Sequence, residues 1–368
     1  MIIGVDASRA FQKQKTGIEW YVCHLINELA TLDTLDNYRL YTHLNSQEDA
    51  FLATKDRLRV LHWPLKRFWT QGRLSLEMLL HPPDVLVIPA SGMPLIRPKK
   101  TIVVVHDVGF LEHTAYRSWF DMWYLRFTTH HALRHAWRII AVSEFTKQEI
   151  LKHYTCPSDR IRVIPIGTDQ ALYQPLSKSA ISEVCVRLGI SQPFFLSIGR
   201  IDPRKNIMTL LEAFSSFAKN YPTWTLVIAG PKGYRSEHII DSIQCAQQRG
   251  ISIIYCEWIS EEDKRTLLHA CAAFIFPSFY EGFGIPIVEA QQCGALVVAS
   301  SIPALEETSG GEALFFDPHH PHELTALMGT IAAGLTTASA IQERGTEQTR
   351  RFSWRITAEQ IDAVCHEV

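Results

Sequence analysis

Residues 193–206 read PFFLSIG-RIDPRKN. The first half is a short, nearly continuous apolar run, the pattern of a strand buried on both faces. Gly199 interrupts it, and a polar loop follows as far as Asn206. From there the apolar spacing changes to that of an amphipathic helix over about 206–220. Strand, loop and helix in this order make the repeating unit of a parallel α/β sheet covered on both sides.

The unit recurs in both directions. Downstream, strands are expected at 225–229, 252–256, 273–276 and 296–299, and helices over about 236–249, 261–271, 285–293 and 321–333. Upstream, strands are expected at 2–6, 38–43, 58–62, 85–88, 101–105 and 138–142, with helices over 18–32, 72–80, 119–135 and 144–153. Two such series predict two doubly wound, Rossmann-like domains, and 368 residues is the length two domains need. The polar stretch through Pro175, Ser177, Lys178 and Ser179 is the expected seam, giving domains 1–175 and 176–352. Residues 353–368 form a leftover helix, expected to cross back to the first domain. Ligands of such sheets bind beyond the carboxyl ends of the strands, here in a central cleft.

Composition narrows the function. Hydrophobic residues make up 46% and charged residues 20%, which fits a globular chain and excludes disordered or collagen-like ones. A net charge of −2 gives no general attraction for nucleic acid. No apolar run has the length of a membrane span, and the chain opens directly into the strand MIIGVD, so a cytoplasmic protein is expected. Eight scattered cysteines without a CxxC pair agree with that compartment. His131 and His135 could share a helix face, but no third ligand lies nearby in sequence, and no metal site is assigned.

The unusual chemistry follows the strands. Arg200 and Lys205 stand in the loop before a helix, a combination that suits an anion such as phosphate. After the strand AAFIFP come Ser278, Phe279, Tyr280, Glu281, Gly282, Phe283, Gly284, Ile285, Pro286 and, one turn on, Glu289. Gly282 and Gly284 permit a tight loop with close backbone approach, and Pro286 marks a helix start. That helix directs its positive dipole end at the ligand. Glu281 and Glu289 would address different parts of one ligand, Glu289 placed to accept from a diol.

GRIDPRKN followed by PSFYEGFGIPIVEA resembles the retaining glycosyltransferases of family 4, which have the GT-B architecture of two Rossmann-like domains facing a cleft. The seven residues between Glu281 and Glu289 match that family's paired-glutamate signature. Thr16-Gly17-Ile18, His106-Asp107, AVSEFTK and RRFSWRITAEQ are similar to further family motifs. One departure is Thr16 in place of the first loop glycine, with Glu19 where a small residue is common. The resemblance implies transfer of a hexose from a nucleoside-diphosphate donor, GDP-mannose or a UDP-hexose, with retained configuration. Arg200 and Lys205 would stabilise the departing diphosphate, helped by the dipole at Gly284–Ile285. Fixed cations of this kind can replace a divalent metal, no DxD motif occurs, and no cofactor is expected. Glu289 would hold the ribose, Glu281, Ser278 and the Phe283–Gly284 backbone would face the donor sugar, and His106 would reach that sugar from the first domain. Gly17 would allow close approach of the donor, Asp107 lies on the acceptor side, and Trp258–Ile259 would border the base. Glu281 is not assigned as a covalent nucleophile.

The acceptor is expected to be a glycan or a lipid-linked glycan. Residues 51–100 carry nine Lys or Arg against three Asp or Glu. Within them, residues 55–73 interleave cations with Trp63, Phe68 and Trp69, which suits an anionic membrane surface; equally, the aromatics would be core and the charges a solvated face. A sugar-nucleotide 2-epimerase of the same architecture and a non-catalytic sugar-nucleotide binder are the other readings. A dinucleotide oxidoreductase is disfavoured because no GxGxxG follows either opening strand.

Overall fold

The computed structural model describes residues 1–12, 15, 17–32, 35–43, 58–63, 68–90, 92–111, 119–169, 176–335 and 338–367. These form two compact units, one built from Met1–Leu111, Ser118–Gly167 and Phe352–Val368, the other from Thr168–Arg351. The joint therefore falls at Gly167, inside the loop after a strand, rather than in the polar stretch that follows.

The first unit holds a seven-stranded sheet: β1 (Ile2–Asp6), β2 (Asn37–Thr42), β3 (Leu58–His62), β4 (Val85–Ile88), β5 (Thr101–Val105), β6 (Arg138–Ala141) and β7 (Ile161–Val163). Its order is β3-β2-β1-β4-β5-β6-β7 and every pairing is parallel. Every residue of β4 and β5 is buried, which is why these strands read as unbroken apolar runs. The Trp354–Cys365 helix belongs to this unit, and its Trp354 ring stacks on His24 at 4.9 Å and meets Tyr21 edge-on at 5.6 Å. Gly167 makes room for it: a Cβ there would come within 2.3 Å of the Trp354 backbone nitrogen. Tyr38 donates to Asp362 at 2.9 Å, and Glu367 pairs with Arg138 and Arg162 at 2.6 and 2.9 Å.

The second unit has six parallel strands: β8 (Phe194–Ile198), β9 (Thr225–Ala229), β10 (Ile253–Cys256), β11 (Ala273–Phe276), β12 (Val297–Ser300) and β13 (Leu314–Phe316). Their order is β10-β9-β8-β11-β12-β13. Successive side chains of one strand enter opposite cores. Phe195, Leu226 and Ile228 pack with Phe214 and Phe217 on one side; Phe194, Leu196 and Val227 pack with Phe274 and Phe276 on the other.

Several elements depart from expectation. The helix expected over 72–80 starts as a π-helical stretch, Trp69–Leu74, and becomes α-helical at Ser75–Leu80. Helices Pro303–Ser309 and Ala338–Gln348 and strand β13 were not anticipated. Strand β13 has only three residues, too few to show a period, and in the 338–348 helix only Gly345 is buried, so no apolar stripe marks it.

In each unit the strand order reverses beside the first strand, between β1 and β4 and between β8 and β11. Crevices at such switch points are where doubly wound sheets bind ligands.

Candidate active site

The switch point of the second unit is flanked by the two loops that sequence reasoning singled out. After β8, Asp202 caps a single 3-10 turn, Pro203–Lys205, accepting from the Lys205 amide at 3.3 Å. Asn206 then takes a left-handed conformation, φ 54°, and its buried side chain donates to the Pro318 carbonyl at 2.9 Å. This bend turns Lys205 inward over the Phe276 ring, 4.6 Å from its centroid. A small concavity lies there, lined by Ser197, Gly199, Lys205, Phe276, Pro277 and Ser278.

Lys205 Nζ meets Glu281 Oε1 at 2.5 Å, and Arg204 Nη1 meets Oε2 of the same carboxylate at 3.1 Å. Glu281 is only 8% exposed. Burial alone would push its carboxyl up; Arg204 and Lys205 outweigh that, helped by the adjacent Ser278 hydroxyl, and bring it down to about 2. Burial likewise lowers the Lys205 ammonium from its ordinary value, against the pull of Glu281. The two groups are placed as an ion pair, each charge compensating the other. Arg200 is exposed and forms no ion pair among the described residues. The cations of the loop thus differ: Lys205, its side chain 12% exposed, and Arg204 are engaged with Glu281, while Arg200 is at the surface.

Gly284 precedes the Ile285–Gln292 helix with φ 104°, a conformation that L side chains rarely adopt. The Gly284 and Ile285 amides stand at its N-terminal end. Phe283 is buried, its carbonyl accepting from Thr308 Oγ1 at 2.6 Å. Glu289, one turn into the helix, is paired with Lys264 at 2.8 Å. Lys264 also meets Glu261 at 2.6 Å, and although burial opposes its charge, the two carboxylates raise it well above the usual range. After β10, Trp258 is 57% exposed and Ile259 half-buried, so Trp258 is a surface ring and not a core residue.

In the first unit, Gly17 opens the Gly17–Leu29 helix, and a Cβ there would meet nothing within 4 Å. Local packing does not demand glycine at this position. Thr16 lies outside the described residues. Glu19 is buried and pairs with Arg9 at 3.3 Å. His106 follows β5, half-buried, with its ring edge-on to Tyr21 at 4.7 Å. Its Nε2 lies 2.8 Å from the Pro89 carbonyl, which can only accept, so Nε2 carries the proton. Burial lowers the imidazole, only partly offset by Pro89, Asp107 and Glu19. A neutral ring protonated on Nε2 leaves Nδ1 as an acceptor. Asp107 starts the next turn, accepting from the Gly109 amide at 3.1 Å.

The basic aromatic stretch divides. Lys55, Arg57, Lys66 and Arg67 lie outside the described residues. Trp69 is buried, donating to the buried Asp6 carboxylate at 3.2 Å, and Trp63 stacks with Tyr41 at 6.1 Å while Arg73 covers its other surroundings at 3.8 Å. Both tryptophans are part of a packed cluster, because the π-helical turn draws Trp69 in towards β1. Phe68 alone of the three aromatics is displayed, at 84% exposure. No helix among the described residues is long and apolar enough to cross a membrane.

Arg204, Lys264 and Pro89 were missed from sequence. Arg204 had a signal, its place in the loop beside Lys205. The pairing of Lys264 with Glu289 spans two helices and leaves no local pattern.

Two doubly wound parallel sheets in one chain, each with chemistry-bearing loops at its switch point, define the GT-B class of architecture. Glycosyl transferases group 1 matches residues 187–348, and Glycosyltransferase Family 4 matches residues 15–172. The chain belongs to glycosyltransferase family 4 and is a glycosyltransferase. It is 27% identical over 390 residues to O-antigen chain mannosyltransferase B of Escherichia coli, the match covering 98% of both chains. It is 28% identical to the serotype-specific mannosyltransferase WbdA of the same organism over 74% of this chain and 33% of that protein. Among solved structures, Anabaena HepE in complex with UDP and glucose superimposes with a TM-score of 0.76 at 19% identity, covering 100% of this chain and 99% of the other.

Proposed function

We propose that this enzyme transfers a mannosyl residue from GDP-mannose to a growing glycan, lipid-linked or free, in the assembly of a surface polysaccharide, with retention of the anomeric configuration and without a divalent metal. The observation that carries the reading is the Lys205–Glu281 pair at the β8/β11 switch point, where two family motifs meet in one cluster. Mannose as the sugar rests on the similarity to a mannosyltransferase along 98% of both chains.

The chemistry is stabilisation of a departing diphosphate. Lys205 and Arg200 supply fixed positive charge, and the amides at the head of the 285–292 helix add their dipole. A cation already turned to the bound diphosphate needs no reorganisation when charge develops on the leaving group, which is why it can stand in for a metal. Glu281, ionised, accepts from hydroxyls of the donor sugar, and Glu289 from the ribose. Ser278 and Phe283 shape the sugar pocket, and Trp258 and Ile259 offer a surface on which a base can rest. His106, accepting through Nδ1, suits a sugar hydroxyl. Gly17 and Asp107 serve donor approach and acceptor. The enzyme acts at the cytoplasmic side, where nucleotide sugars are made available to such acceptors.

A thermal-shift series with GDP-mannose, UDP-glucose, UDP-galactose and UDP-N-acetylglucosamine, EDTA present throughout, tests the donor. Stabilisation by GDP-mannose alone is expected. Stabilisation by a UDP-sugar instead overturns the donor, and a requirement for added metal overturns metal independence. Proton NMR of the product's anomeric signal tests retention, and isomerised free donor would identify an epimerase.

A further inference from the structure

Glu281 has two cationic partners, and they serve different oxygens. Lys205 Nζ holds Oε1 at 2.5 Å, while Arg204 Nη1 holds Oε2 at 3.1 Å. The same Arg204 nitrogen donates to the Tyr280 carbonyl at 2.8 Å, and the Phe279 amide donates to the Arg204 carbonyl at 2.9 Å. Arg204 thus ties the loop after β8 to residues 279–281 through side chain and backbone together. We propose that Arg204 is a positioning residue that keeps Glu281 in place when Lys205 turns from the carboxylate to the donor diphosphate.

The inference rests on Lys205 being a diphosphate ligand, as proposed above. A diphosphate entering the site competes with Glu281 for the Lys205 ammonium, and a phosphate oxygen lying in another direction draws Nζ away from the carboxylate. If Lys205 turns, a buried carboxylate loses one of two counter-charges. Without Arg204 it would be left unpaired in a dry setting, where it would take a proton or move. With Arg204 in place, only Oε1 is released, and that oxygen becomes the acceptor offered to a sugar hydroxyl. The division of labour explains two adjacent cations in one short turn: Lys205 is exchangeable, and Arg204, held by a carbonyl as well as a carboxylate, is fixed. Planar guanidinium geometry suits this double duty, which an ammonium reproduces only in part.

The test compares full-length wild type, Arg204→Ala, Arg204→Lys and Lys205→Ala. Calorimetry with GDP should give Arg204→Ala an affinity within about threefold of wild type, and Lys205→Ala a much larger loss. With GDP-mannose and acceptor, Arg204→Ala should lose tenfold or more in kcat, with the acid limb of kcat/KM moved to higher pH because Glu281 binds a proton more readily. Arg204→Lys should recover part of both. An unchanged kcat and acid limb in folded Arg204→Ala overturns the proposal. So does a loss of GDP affinity equal to that of Lys205→Ala, which would make Arg204 a phosphate ligand. If Arg204→Ala does not fold, the pH profile of Arg204→Lys decides in the same way. If the wild type transfers from none of the four donors, the donor reading fails by itself. The Glu281 side-chain carboxyl is then titrated by carbon NMR in wild type and Arg204→Lys: a raised midpoint in the variant supports the proposal, and equal midpoints overturn it.

Discussion

Lys205 is the residue on which most of the proposed chemistry depends, and its surroundings sharpen what its loss should do. It packs on Phe276 and is bonded to Glu281, so Lys205→Ala removes both the proposed leaving-group cation and a counter-charge. By analogy with single oxyanion donors, the loss should be on the order of a hundred- to a thousandfold in kcat, measured by nucleotide release. Thermal stability should fall only modestly, because Arg204 still neutralises Glu281. For Glu289 the neighbour matters too: Glu289→Gln leaves Lys264 paired with Glu261, so the fold should survive while nucleotide affinity drops, read by calorimetry with GDP. Affinity equal to wild type would remove Glu289 from the ribose. The residue types and spacing of these groups were legible in the sequence because each follows a strand, where a doubly wound sheet displays its ligand-binding loops. Which carboxylate met which cation was not legible, since Lys205–Glu281 and Lys264–Glu289 join separate elements.

At the scale of elements, the Ile285–Gln292 helix shows how backbone conformation prepares a site. Gly284 at φ 104° lets the chain turn into the helix, and a Cβ there would lie 2.8 Å from Leu305 Cδ2. Gly284→Ala should therefore cost about 1–3 kcal/mol, seen as a lower Tm, and weaken donor binding by moving the helix head. An unchanged Tm would mean that the turn is not under this constraint. The glycine itself was readable as a loop signal, but its dihedral angle was not. Buried strands such as β4, β5, β8 and β9 were recognisable from their nearly unbroken apolar runs. The 338–348 helix was not, because only Gly345 is buried and much of its anchoring is polar, such as Gln342 to the Gly294 carbonyl and Arg344 to Glu312. Trp69 was open to two readings in the sequence, membrane-facing or core. Its burial and its bond to Asp6 across 63 positions make it a core residue.

For the molecule as a whole, acid is the condition to which the charge arrangement is most sensitive. The folded state holds Glu281 down to about 2, from an ordinary 4.5, and the Glu367 carboxyl is lowered as well, burial being outweighed by Arg162 and Arg138. A depressed carboxyl stabilises the fold above its unfolded value and ceases to do so as pH falls towards its folded one. Glu281 then stabilises the fold at neutral pH, and that contribution is lost progressively between about 4.5 and about 2. Urea titrations from pH 7 to pH 3 should show this decline, and Glu281→Gln should flatten it; identical slopes would refute the assignment.

Synthesis proceeds from the amino end, and Phe352–Val368 is translated only after the whole of Thr168–Arg351. The unit begun by β1 therefore leaves the ribosome with the bed beside Gly167, Tyr38 and Arg138 unfilled, and remains so while an entire second sheet is made. During that interval Tyr21 and His24 lack Trp354 and are open to chaperones or to premature clustering. A nascent chain stalled before residue 352 would carry every donor motif, yet leave the unit bearing His106 without its closing helix.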